Sequence, residues 1–241
     1  MNSPPFVPGL RLSRALYEGA VRSVLAAEFP TLDYAAGLIG PGSETLGYDT
    51  EQSTDHDWGP RLQLFLADAE AATLGPRVLE AVRASLPDSV MGYATDMARA
   101  NASENNDYQC VTVQRAGAYF ASVLGVDPRN PLGVTDWLTF SEQNLRALTS
   151  GAVFHDGVGE LTRLRGTLRY YPRDTWLYML AAQWRRIAQE EAFVGRCAQV
   201  GDEMGSRLVT GRLVRDTMRL CFLMERVYPP YIKWLGSGFG E

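Results

Sequence analysis

Cysteine, histidine and lysine are scarce in this chain, and each scarcity argues against a class of function. The three cysteines among 241 residues, Cys110, Cys197 and Cys221, lie far apart and form no CxxC pair. That speaks against a disulfide scaffold and against a zinc site. Two histidines, His56 and His155, leave little material for a multi-histidine metal centre or a histidine-based triad. No apolar run reaches the ~18–20 residues of a membrane span. Residues 1–8 have no positively charged start and no long apolar stretch, so no signal peptide is expected and the expected location is the cytoplasm. A net charge of −5 supplies no basic field, which disfavours nucleic acid as a partner. Of the 23 basic residues only Lys233 is a lysine. A GC-rich genome accounts for that bias, yet it singles out the one lysine that remains.

What is present is an ordinary globular composition, 46% hydrophobic and 21% charged, long enough for one large domain or two small ones. Leu12, Leu16, Ala20, Val24 and Ala27 recur at helical spacing and predict an amphipathic helix over 10–28. The apolar run 34–39, closed by Gly40-Pro41-Gly42, predicts a buried strand. Residues 57–66 alternate and then become apolar, which suits a second strand; 108–114 alternate as a third. A helix is expected over 76–86, a loop over 101–107 and a short helix over 116–124.

Beyond about Asp136 helical periodicity takes over, with helices expected over 137–149, 160–169, 175–199 and 206–227. His155-Asp156-Gly157 then reads as a capped turn between helices. Trp137, Trp176, Tyr178 and Trp184 read as core aromatics, and Arg185-Arg186 with Glu190-Glu191 as a solvated face of i,i+4 pairs. The expected fold is α+β: a small mixed sheet flanked by helices over residues 1–134, followed by a C-terminal helical bundle over 135–241.

The chemistry gathers at Gly42-Ser43 and Asp55-His56-Asp57. If a strand begins at Asp55, alternation points Asp55 and Asp57 to one face and His56 and Trp58 to the other. Two carboxylates that close repel unless a cation lies between them, and Mg²⁺ prefers such hard oxygen ligands. A glycine lets the backbone turn sharply, successive N–H groups there favour anions, and the Ser43 hydroxyl adds a donor. Together these are the minimum apparatus for phosphoryl or nucleotidyl transfer.

Leu38-Ile39-Gly40-Pro41-Gly42-Ser43 through Ser53-Thr54-Asp55-His56-Asp57-Trp58 resembles the signature of the polymerase-beta-like nucleotidyltransferase superfamily. That superfamily includes the kanamycin and lincosamide nucleotidyltransferases and the minimal nucleotidyltransferases of toxin–antitoxin pairs. The whole chain, including residues 53–66 and 215–235, also resembles an uncharacterised bacterial family within it. The resemblance implies that Asp55 and Asp57 hold catalytic Mg²⁺ and that Gly42 and Ser43 bind the β- and γ-phosphates of a nucleoside triphosphate, ATP. Lys233, after a long helix, would reach the phosphates. AMP would pass to a hydroxyl of a small-molecule acceptor with release of pyrophosphate; no membrane is implied, and a homodimer is compatible.

One departure stands out. The superfamily places a third acid on a neighbouring strand, and 108–114 contains none. Asp107 at its start serves only if the register slips, and Cys110 otherwise occupies that place. A second reading follows, a nucleotide-binding regulatory or antitoxin-like protein of the same fold without turnover.

Overall fold

The computed structural model describes residues 4–55, 58–96 and 110–240. Leu12, Leu16, Val21 and Leu25 are all buried, and their steps of four, five and four residues set the shape of the first helical run. Helix α1 (Gly9–Leu16) passes through a π-helical turn (Tyr17–Val21) into α2 (Arg22–Glu28). The wider turn absorbs the five-residue step and keeps the four side chains on one face.

These helices cover a four-stranded sheet of order β5-β2-β1-β6. Its strands are β1 (Tyr34–Leu38), β2 (Leu62–Leu66), β5 (Val111–Arg115) and β6 (Ala152–Asp156); β3 (Ser89–Val90) and β4 (Tyr93–Ala94) form a separate hairpin. β1 runs antiparallel to β2 and β6, and β2 runs parallel to β5. All five residues of β1 are buried, as expected of a central strand with both faces covered. One face packs Tyr34, Ala36, Leu62, Leu64, Leu66 and Val111 against α1, α2 and Val78 and Val82 of a helix over Gly75–Ala84. On the other, Phe65 meets Tyr119 of the helix Ala116–Leu124 edge-on at 5.8 Å.

The expected α+β class, with a small mixed sheet, flanking helices and a helical C-terminal region, is the architecture observed. Several expectations need correction. The second strand begins at Leu62 rather than at Asp57, and Asp55 ends a 3-10 helix, Glu51–Asp55. The alternation that would have aligned Asp55 with Asp57 therefore does not apply. Here Thr54 Oγ donates to Glu51 O at 2.7 Å and Thr50 N–H donates to Ser53 Oγ at 3.0 Å. Such local side-chain bonds draw the backbone away from an extended ladder. Next, residues 152–156 form β6 instead of a turn between helices, although Asp156 does cap: its carboxylate accepts from Gly159 N–H at 2.9 Å and Thr162 N–H at 2.7 Å. Finally, the expected helix over 137–149 is two helices, Val134–Thr139 and Glu142–Thr149. The expected loop 101–107, and Tyr108 and Gln109 of the expected third strand, lie outside the described residues.

The chain divides into two compact units, Met1–Pro131 with Ala147–Arg169, and Leu132–Arg146 with Tyr170–Glu241. The second is built on a helical hairpin, α10 (Arg173–Gln199) and α11 (Glu203–Glu225), numbering the helices in chain order. Asp202 caps α11 by accepting from Gly205 N–H at 2.8 Å. Trp137 is buried as expected, but Tyr178 (61% exposed) and Trp184 (54%) face outward. The charged pairs also differ from expectation: Arg186 and Glu190 reach across to Asp216 and Arg212 of α11 instead of pairing along α10. Among the described residues, no helix is long and apolar enough to cross a membrane.

Candidate nucleotide-binding site

β1 ends in the Gly40-Pro41-Gly42 turn, and Ser43 starts a single helical turn, Ser43–Leu46. Gly42 adopts φ +147°, a backbone state that side-chain-bearing residues rarely take. A Cβ there would also lie 2.6 Å from both carboxylate oxygens of Glu44. The Thr45 hydroxyl lies 2.7 Å from Gly40 O and 2.9 Å from Gly42 O, tying the turn from beneath. Gly151 N–H, just before β6, donates to Thr45 O at 2.7 Å. Ser43 is half-buried and remains within reach of solvent.

The antiparallel register places the end of β1 beside the start of β2, with Gly37 opposite Gln63. Ile39 N–H donates to Gln63 Oε1 at 2.8 Å, extending that pairing one step past the strand. β5 starts at the same end: Leu62 N–H donates to Cys110 O at 2.8 Å, and the Cys110 thiol donates to Pro60 O at 2.8 Å. Burial pushes the Cys110 thiol up to about 12, so it is an inert, neutral group.

Two polar links hold the described residues on either side of β2's approach: one ties the Ser43 turn to Arg61, and one ties Asp49, in the following loop, to Trp58. Glu44, buried, forms an ion pair with Arg61, four residues beyond Asp57. The Asp49 carboxylate accepts from Gly9 N–H at 2.7 Å and from the Trp58 indole at 2.9 Å. Trp58 is itself buried, stacked on Phe6 at 5.6 Å and edge-on to Tyr93 at 5.0 Å. Burial lowers the Arg61 guanidinium to about 10, while the Tyr119 phenol opposes that shift; it stays protonated at neutral pH.

Glu44, Arg61 and Asp49 were not singled out from the sequence, where a charge at a strand end reads as solvated. The available signal was Arg61 standing directly before an apolar strand and Glu44 directly after Gly-Ser.

Of the residues expected at the site, Gly42 and Ser43 sit on this turn, and the backbone of Asp55 ends the 3-10 helix. His56 and Asp57 lie outside the described residues, as does Asp107. Lys233 belongs to the second unit, on the 3-10 turn Ile232–Trp234, where it is exposed with Nζ 4.9 Å from the Trp234 ring centroid. Among the described residues, no group of three or more His, Cys, Asp or Glu could hold a metal ion. In the four strands of the sheet the one carboxylate is Asp156, paired opposite Ala35 at the far end of β1 and engaged in capping.

Residues 137–235 match a family model described as a domain of unknown function (DUF4037). The match covers less than half of the chain. The comparison with curated proteins finds no match. Among solved structures, a nucleotidyltransferase-like protein from Exiguobacterium sibiricum is similar over 95% of this chain at 12% identity, with a TM-score of 0.34. The chain spans 62% of that protein's length.

Proposed function

We propose that the protein is a Mg²⁺-dependent nucleotidyltransferase that moves AMP from ATP to a hydroxyl of a small-molecule acceptor. The observation that carries this reading is a pair of polar links beside the two halves of the signature. Glu44, directly after Ser43, is bound to Arg61, and Asp49 holds Trp58, directly after Asp57. The turn leaving β1 and the segment entering β2 are thereby fastened at one end of the sheet.

In this reading Gly42 and Ser43 hold the β- and γ-phosphates through backbone N–H groups and the hydroxyl. Asp55 and Asp57 are hard oxygen donors of the kind Mg²⁺ takes, with its other positions left to water and phosphate. A Mg²⁺ held there would neutralise phosphate charge as it builds. The acceptor oxygen bonds to the α-phosphorus, the bond from that phosphorus to pyrophosphate breaks, and the hydroxyl proton passes to a base.

That last requirement favours a second reading, a nucleotide-binding regulatory or antitoxin-like protein without turnover. Cys110 at the start of β5 is buried and neutral, and Asp156 is committed to its cap. Pyrophosphate release from ATP and Mg²⁺ over a panel of hydroxylated acceptors separates the two. Steady release that Asp57→Asn lowers at least about 100-fold, the order of a lost electrostatic contact to the transition state, supports the enzyme. Nucleotide binding without release on any acceptor supports the regulator.

A further inference from the structure

The second unit contains a cavity of about 430 Å³ whose lining runs from Trp137 to Leu235. That volume lies in the range of small-molecule sites. Four aromatic side chains, Trp137, Phe140, Tyr171 and Tyr231, contribute to its wall. They are held in place: Trp137 meets Tyr171 edge-on at 6.0 Å, Tyr171 meets Tyr228 edge-on at 5.1 Å, and Tyr231 Oη accepts from the Trp234 indole at 2.7 Å. Fixed rings offer stacking area at little cost in conformational freedom.

The charged lining is two guanidiniums, Arg215 and Arg219, against one carboxylate, Glu142. Arg219 is ion-paired with Glu142. Arg215 is not matched in that way. Its nearest acid is Asp216, with Nη2 3.8 Å from Oδ1, and the other oxygen of Asp216 already accepts from Arg186 Nε at 2.8 Å. The buried Nε of Arg215 has no hydrogen-bond partner among the described residues. The side chain is nonetheless 42% exposed, so part of it faces open space. A guanidinium presents five N–H donors in a fixed fork that matches a carboxylate or phosphate, and a buried unpaired donor is costly. Every lining residue falls within the segment matched by the family model.

We propose that this cavity is a binding site for a small ring-bearing anion, its carboxylate or phosphate held by Arg215 and its ring lying against the Trp137–Tyr171–Tyr231 wall. Glu142, fixed by Arg219, leaves a carboxylate edge for a hydroxyl on the same ligand. The site lies wholly within one unit and does not rest on the transfer reaction proposed above.

The test is calorimetric titration of the full chain, without nucleotide or metal, using four probes: phenyl phosphate, 4-hydroxybenzoate, the neutral 4-hydroxybenzamide and inorganic phosphate. Saturable binding of phenyl phosphate or 4-hydroxybenzoate is expected, and which of the two is tighter identifies the headgroup. Arg215→Gln should weaken it at least about 10-fold, the loss of one charge-assisted contact, while Arg173→Gln on the exposed start of α10 leaves it unchanged. Quenching of tryptophan fluorescence by the bound anion should shrink in Trp137→Phe. If Arg215→Gln does not fold, the wild-type comparison with the amide and that quenching decide. No binding of either ring anion at about 10 mM, where even few-contact ligands register, overturns the proposal. So does equal binding of the amide, or inorganic phosphate binding as tightly as phenyl phosphate.

Discussion

In β1 all five residues are buried, whereas α10, with 27 residues, buries only Thr175 and Gln183. The two elements hold their places by different means. β1 sits between two paired strands with helices on both faces, so apolar burial fixes it and leaves little room for variation. The α10–α11 hairpin is joined by spaced polar links. Trp176 donates to Leu223 O at 2.7 Å, Gln183 to Asp216 O at 2.8 Å and Arg186 to the Asp216 carboxylate at 2.8 Å. Arg212 pairs with Glu190 at 2.6 Å, and Ser206 Oγ donates to Val194 O at 3.0 Å near the turn. Hydrogen bonds have direction and apolar contacts do not. The hairpin's register is therefore set by polar groups, while Leu208, Met204 and Trp184 stay exposed.

The largest expected effect tests the buried side of that contrast. Leu64, fully buried on β2, should lose about 3 kcal/mol when changed to alanine, from lost transfer energy and the cavity left behind. Leu208→Ala on α11 should cost less than about 0.5 kcal/mol. Urea denaturation of both variants measures the difference, and similar losses would erase the distinction between the units.

A smaller effect tests the polar links. Asp216 is fully buried and receives Arg186, while its backbone carbonyl receives Gln183. Asp216→Ala should cost about 2 kcal/mol, since Arg186 is partly exposed and can turn to water instead of being stranded. If the loss is no greater than that of Trp184→Ser, the links do not hold the hairpin and the half-buried aliphatic contacts do.

The same contrast explains what could be read from sequence. The long helices were legible because a 3.6-residue period repeated over more than 20 residues outweighs local exceptions. Tyr178 and Trp184 misled because an aromatic side chain is apolar whether or not anything covers it. β6 was missed: five residues between Gly151 and Gly157, ending in His155-Asp156, look like a turn, and the partner strand lies more than 110 positions away. Periodicity reports only local order, so a short strand recruited at long range leaves no trace in it. At the candidate site, the Gly42-Ser43 turn was legible because its backbone requirement excludes other residues. The start of β2 was not, because Thr50, Ser53 and Thr54 settle into side-chain bonds that a hydrophobicity pattern does not encode.

The smallest effect has the opposite sign and turns on glycine. Gly151 has φ +76°, and a methyl there would collide with the Leu38 carbonyl oxygen, so this residue permits the close approach of β6 to β1. Gly195 in α10 and Gly211 in α11 lie in helix interiors, and a methyl on either would meet nothing within 4 Å. Alanine there removes conformational freedom from the unfolded chain without meeting a neighbour. Gly195→Ala and Gly211→Ala should each stabilise the protein by about 0.5–1 kcal/mol, visible as a higher denaturation midpoint. Gly151→Ala should instead lower it. Destabilisation by either hairpin variant would mean that those faces are covered in solution, and the contrast between a filled sheet and an open hairpin would then belong to the isolated chain alone.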